Sequence, residues 1–267
     1  MPSKNLIDVT VALPLWSMRD ISWIQLESLC RQQTEFKWEL IVCEEQLEDY
    51  SGEENISSYA DRLSQAGCKS ITYLPLYQRI PLSKKWTLIA EKARGLTCIL
   101  AGGDDYSSFD RIQFTHQIMT AGNYDWFDVA KGLFYNINTG ETCTYDHDLA
   151  SGSALCMAIR TRILKSLIPY LYDCATFWPR SAVDNWMRTK VGQTFSNKFY
   201  THPYELGAVD TDGYNKISNG RTGYYKNKAY RPPFCAPTQR LEDVLPPDIY
   251  SRLTRMTINR ILTQENI

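Results

Sequence analysis

The chain has 267 residues, enough for one large or two small domains, and its 43% hydrophobic and 12% aromatic content supports a packed core without staples. A net charge of −1 and a pI near 6.3 exclude a surface built throughout for nucleic acid, which needs clustered cations, but leave room for a local basic face. The eight cysteines include no Cys-x-x-Cys pair and several sit in apolar runs, so they read as reduced thiols of a cytoplasmic protein; no apolar run approaches the ~18 residues of a membrane span, and no signal-peptide core opens the chain.

In chain order, residues 7–13 are β-branched and apolar and are stopped by Pro14, while 21–33 carries helix-spaced Ile21, Ile24, Leu26 and Leu29. A second strand at 38–43 ends in Glu44 and Glu45, and a helix near 56–66 closes on Gly67. A strand at 70–74, an irregular stretch at 75–81, a helix at 84–94 capped by Gly95 and a strand at 97–101 follow. Four strand–helix units of this kind indicate parallel, doubly wound pairing, whose ligand crevice lies outside the carboxyl ends of the strands. Glu44, Glu45, Asp104 and Asp105 all fall at such ends.

The second half reads as strands of a mixed sheet at 126–134 and 153–159, with helices near 161–171 and 182–191. Past Phe199 the periodicity fades. Residues 214–231 hold Lys216, Arg221, Lys226, Lys228 and Arg231, four tyrosines and no acid, and read as a mobile basic-aromatic loop. It is a lid over a diphosphate, a patch for a phosphate-bearing acceptor, or simply a solvated loop. A last helix over 247–262 offers Ile249, Leu253, Met256, Ile258 and Ile261 for packing. The expected organisation is one domain over 1–235, with a nucleotide-binding half to residue 110 and an acceptor half from 111, then a helical tail over 236–267.

The stretch from Thr97 to Tyr106 is an apolar run that breaks on Gly102 and Gly103 and ends in Asp104 and Asp105. Adjacent carboxylates at an exposed strand end repel each other, and a divalent cation or a polar network neutralises them. The alternative is a helix start, with Asp105 or Ser107 and Ser108 capping a helix over 109–119 and the glycines forming a turn.

Three passages resemble the GT-A glycosyltransferases of the family 2 type, over residues 8–204. Val9-Thr-Val-Ala-Leu-Pro14-Leu-Trp16 is similar to the opening strand, Glu39-Leu-Ile-Val-Cys-Glu44-Glu45 to the second, and residues 93–105 to the helix-Gly-strand passage into the Asp-x-Asp motif. The resemblance implies an α/β GT-A fold with a mixed, mostly parallel sheet. It places Pro14 and Trp16 at the nucleotide and Glu44 where an Asp holds the base. Counted from Gly95, the first Asp of the motif falls on Gly102 and the second on Asp104, which becomes the ligand of Mn²⁺ or Mg²⁺, with Asp105 beside the donor. An Arg-Asn pair before this strand is absent, so Lys84 and Lys85 either supply the phosphate contacts or are exposed, solubilising lysines. Ser181-Ala-Val-Asp184-Asn185-Trp186 resembles the Glu-Asp site of the general base, with Val183 in place of Glu. Asp184 is then the base, or one half of an Asp184–Arg188 helix pair worth ~0.3–0.5 kcal/mol. His202 falls where such enzymes bring a late His to the metal or diphosphate; otherwise it is a loop His bonded to backbone. His116 and His147 read as structural or solvent-facing.

The implied activity is metal-dependent, inverting transfer of a sugar from a nucleotide-diphosphate sugar to an acceptor hydroxyl. A glycan or lipid-linked sugar is the default acceptor, with a phosphate-rich polymer such as modified DNA behind it. A nucleotidyltransferase would carry a Gly-rich, basic loop after the first strand, which residues 14–19 lack. A non-catalytic sugar-nucleotide or glycan-binding module is the remaining alternative, favoured by the missing first Asp and Arg-Asn pair.

Overall fold

The computed structural model describes residues 6–15, 20–45, 52–146, 153–177, 183–195, 198–203, 209–212, 234–235, 237 and 239–264. Trp16, His147 and the basic-aromatic loop at 214–231 lie outside the described residues. Strand β1 (Val9–Leu15) leads to helix α1 (Trp23–Leu29), β2 (Trp38–Glu45), two short helices α2 (Gly52–Ser57) and α3 (Ala60–Gln65), β3 (Cys68–Leu76), α4 (Leu82–Lys92) and β4 (Thr97–Leu100). β1 pairs in parallel with β2 and β4, and β2 in parallel with β3. Every residue of β1, β2 and β4 is buried, as expected of parallel strands covered on both faces.

The two faces divide by alternation. Val11, Leu13, Leu40, Val42 and Ile99 pack with α1, α2 and α3 on one side. Ala12, Ile41, Cys43 and Leu100 pack with Trp86, Ile89 and Ala90 of α4 on the other. The chain continues through β5 (Asp105–Tyr106), α5 (Arg111–Ala121), β6 (Trp126–Val129), β7 (Lys131–Asn136), β8 (Thr142–Asp146) and β9 (Ser153–Arg160), then α6 (Thr161–Ser166), α7 (Ile168–Phe177) and α8 (Val183–Thr194). β10 (Phe199–His202), β11 (Val209–Asp212), β12 (Phe234–Cys235), α9 (Leu241–Val244) and α10 (Pro247–Gln264) complete it. The main sheet has the order β10-β6-β9-β4-β1-β2-β3, mixed because β9 runs antiparallel to both β4 and β6. A second sheet, β12-β8-β7-β11-β5, carries α9 and α10 on one face: Leu241, Leu245, Ile249 and Leu253 join Tyr106, Leu133, Tyr135, Ile24 of α1 and Ile21 just before it in a third core.

Several expectations are corrected. β1 runs through Pro14 to Leu15, because its pairing with β4 ends at Ala12 and the missing N–H breaks no ladder on that side. Gly95 is no helix cap: a Cβ there would come within 2.4 Å of the Thr10 backbone nitrogen, so glycine is required for its close approach to β1. The helix expected near 56–66 is two helices separated by Ser58 and Tyr59, and the one expected at 161–171 breaks at Leu167 and resumes. The strand expected over 126–134 belongs to two sheets, divided at Ala130, whose N–H bonds the His202 carbonyl at 2.8 Å. In α10, Ile249 and Leu253 are buried but Ile258 faces solvent. Among the described residues no helix is long and apolar enough to cross a membrane.

Candidate active site

The acidic loop follows β4 directly. Leu100 ends the strand, residues 101–104 turn, and β5 pairs antiparallel with β11 so that Asp105 stands opposite Asp210 and Tyr106 opposite Val209. Asp105 is buried, its Oδ2 accepting the Gly102 N–H at 3.2 Å, whereas Asp104 is half-exposed. Neither begins a helix: the N-cap of α5 is Asp110. A Cβ on Gly102 would lie 2.5 Å from Asp105 Oδ2 and 3.2 Å from Asp104 Oδ1, so both carboxylates reach the space above this glycine. The space a side chain at position 102 would take is therefore filled by the Asp105 carboxylate.

Beneath the loop lies a buried polar brace. The Gln25 amide of α1, oriented to satisfy its neighbours, donates to the carbonyls of Asp105 (2.7 Å) and Gly102 (3.3 Å) and accepts from the Ser107 hydroxyl (3.2 Å). Arg111, 2% exposed, donates to the Leu100 carbonyl at 2.9 Å and to Ser107 Oγ at 2.8 Å. Strand end, acidic turn and helix start are thus held by three side chains that carry no motif. Their types, scattered over 87 positions between Gln25 and Arg111, gave no signal in the sequence.

At the end of β2 the two glutamates diverge to opposite faces. Glu44 is buried, its Oε2 accepting from Tyr73 Oη at 3.1 Å, and burial holds its carboxyl above the usual range. Glu45 pairs with Lys85 at 2.6 Å, both side chains buried, and Lys85 also donates to the Leu15 carbonyl. Burial pushes the Lys85 ammonium pKa down against the pull of Glu45. Lys85 therefore ties the ends of β1 and β2 together and is not one of two exposed lysines; Lys84, beside it, is exposed. Pro14 sits at the same edge, in register with Cys43.

Asp184 lies in the first turn of α8, with its side chain outside the described residues. Arg188, its i+4 neighbour, donates from Nε to Asp128 Oδ2 of β6 at 2.7 Å, and Trp126 Nε1 reaches the same oxygen at 2.8 Å. The helix that carries Asp184 is thereby anchored to the main sheet. His202 ends β10, three strands from β4, a lateral distance of roughly 14 Å at ordinary strand spacing. Its half-buried ring packs edge-on against Phe114 at 5.0 Å and meets Tyr200 Oη at 3.4 Å, and burial lowers its pKa. His116 is buried, bonded through Nδ1 to Thr97 Oγ1 at 2.9 Å.

Among the described residues there is no cluster of three or more His, Cys, Asp or Glu side chains that could cage a metal by themselves. Two neighbouring carboxylates over a glycine do fit a hard divalent cation that takes its other ligands from phosphate oxygens and water. Asp210 is brought opposite Asp105 by the β5–β11 register.

The fold is that of the GT-A glycosyltransferases. The chain is similar to S. aureus TarS residues 1–349 in complex with UDP-GlcNAc, with a TM-score of 0.58, 13% identity, and coverage of 96% of this chain and 73% of that one. The same TarS fragment with UDP gives 0.56 and 14%, covering 96% and 66%. The mannosyltransferase PcManGT from Pyrobaculum calidifontis, in complex with GDP-Man and Mn²⁺, gives 0.52 and 10%, covering 98% and 76%. This chain spans 43% of the longer TarS chain. No protein-family model matches the sequence, and no curated protein does.

Proposed function

We propose that the chain is a metal-dependent, inverting glycosyltransferase that moves a sugar from a nucleotide-diphosphate donor to an acceptor hydroxyl. The observation that carries the reading is the acidic turn after β4, where Asp104 is accessible and Asp105 is drawn over Gly102 rather than into a helix cap. Asp104 and Asp105 would hold Mn²⁺ or Mg²⁺, which supplies charge neutralisation at the departing diphosphate. Pro14, Trp16 and Glu44 border the nucleotide base, and of the adjacent pair Lys84 and Lys85 on α4 it is the exposed Lys84 that meets phosphate. Asp184 takes the proton of the acceptor hydroxyl as the hydroxyl oxygen attacks the anomeric carbon and the diphosphate leaves with the bond electrons. His202 contributes from the rim. Residues 1–110 serve the donor, 111–235 the acceptor, and 236–267 support the second sheet. The acceptor is a glycan or lipid-linked sugar. Among the described residues the thiols of Cys30, Cys43, Cys68, Cys98 and Cys156 are in no disulfide, which supports a reducing, cytoplasmic setting.

Thermal-shift titration with UDP and GDP, with and without Mn²⁺, tests the donor site: a rise in Tm that needs the metal and vanishes in Asp104→Asn is expected. Asp184→Asn should keep that rise and lose transfer. A nucleotide-dependent rise with no donor turnover in the unmodified chain would favour a non-catalytic sugar-nucleotide-binding module instead. No response to any nucleotide would overturn both.

A further inference from the structure

A cleft of about 880 Å³ opens between loop 108–110, the β7–β8 turn at Gly140, and helices α9 and α10. It stands back to back with the acidic turn. Successive residues of a strand face opposite sides, so in β5 Asp105 turns toward Gly102 while Tyr106 lines this cleft. Its size falls in the range of small-molecule sites.

The lining has a definite chemistry. Tyr250, half-buried, presents aromatic surface inside, the edge of the buried Tyr106 closes the floor, and Phe109, 53% exposed, stands at the mouth. Among the described residues the ionised groups of the lining are Asp110, Glu242 and Asp243 against one cation, Arg240, which is held by Glu242 and Asp243 at 2.9 Å. The described lining is thus net acidic, and the Arg240 guanidinium is already engaged by carboxylates, so phosphates and carboxylates are repelled. A purely apolar ligand would strip water from the carboxylates and from Thr142 and Gln239 without replacing its hydrogen bonds.

We infer that this cleft binds a neutral saccharide segment. Ring C–H faces stack on the aromatic side chains and hydroxyls bond the carboxylates and amide. The inference rests on the transferase reading only for its purpose, which is to hold an acceptor chain away from its reacting end.

The test uses the full chain, without nucleotide or metal, on an array of neutral, phosphorylated and sialylated oligosaccharides, followed by calorimetric titration of the strongest neutral ligand. Neutral saccharides are retained and their phosphorylated and sialylated counterparts are not; Phe109→Ala and Asp243→Asn each weaken binding at least ~10-fold, equal to about 1.4 kcal/mol. Retention of no neutral saccharide, retention of the anionic ones alone, or binding unchanged in both variants overturns it. The nucleotide thermal shift is read in parallel: its absence beside intact saccharide binding counts against the transferase, not against this cleft.

Discussion

Adding one methyl group at Gly102 perturbs the acidic turn without changing its charge. In Gly102→Ala the new Cβ stands 2.5 Å from Asp105 Oδ2 and 2.9 Å from its Cγ, closer than any relaxed contact, while the backbone φ requires no glycine. The Asp105 carboxylate must swing away, losing its bond from the Gly102 N–H. A hydrogen bond to a charged acceptor contributes ~1.5–3 kcal/mol, and part is recovered when the carboxylate meets water, so a net loss of about 1–2 kcal/mol is expected. For a chain of this size that lowers Tm by roughly 2–8 °C. The effect on Mn²⁺ should be at least as large, because one of two carboxylates over the glycine is displaced: a ~10-fold or greater loss of affinity, about 1.4 kcal/mol. Paramagnetic resonance of free Mn²⁺ in the presence of UDP reads the affinity and urea unfolding reads the stability. Unchanged Mn²⁺ affinity in Gly102→Ala would refute the placement of a shared ion above this glycine. Gly102→Asp, which restores the acid of the family pattern, should bind Mn²⁺ worse than the unmodified chain, since its carboxylate would compete for space Asp105 already fills.

Lys85→Met leaves Glu45 buried without its partner and should cost ~3–5 kcal/mol in denaturant unfolding, while Lys84→Met leaves stability within ~0.5 kcal/mol and weakens UDP binding. Equal effects at the two positions would refute the assignment of separate roles. Asp128→Asn removes the charge that anchors Arg188 of α8; transfer should slow with donor KM little changed, and an unaltered kcat would show that α8 does not need this anchor. Burial raises Glu44 above its ordinary value of 4.5, so the native chain keeps that proton to higher pH than the unfolded chain does. Its contribution to stability is therefore greatest below pH 4.5 and declines as pH rises through the folded-state value. In Glu44→Gln that decline should disappear, so the unfolding free energies of variant and parent converge at low pH and separate toward neutrality; parallel curves would contradict it.

Local pattern was enough for the first half of the fold. The apolar runs at β1, β2 and β4 and the helix spacing of Ile21, Ile24, Leu26 and Leu29 are short-range signals, and doubly wound pairing follows from their alternation. The acidic end of β4 was equally legible, because two carboxylates after two glycines are unusual in any strand. Chain closure over long separations decided the rest. Nothing local distinguishes the end of β6 from the start of β7, which belong to different sheets, and position 210 stands opposite Asp105 only because β11 returns more than one hundred residues later to pair with β5. Lys84 and Lys85 are adjacent and chemically identical, yet helix geometry turns one to solvent and the other into a buried ion pair. Residue types and periodicity located the strands and helices of the first half and the paired carboxylates after β4. Which carboxylate occupies the space over Gly102, and which buried side chains hold it there, depended on packing between α1, β4 and α5, and packing is set by contacts that no single stretch of sequence contains.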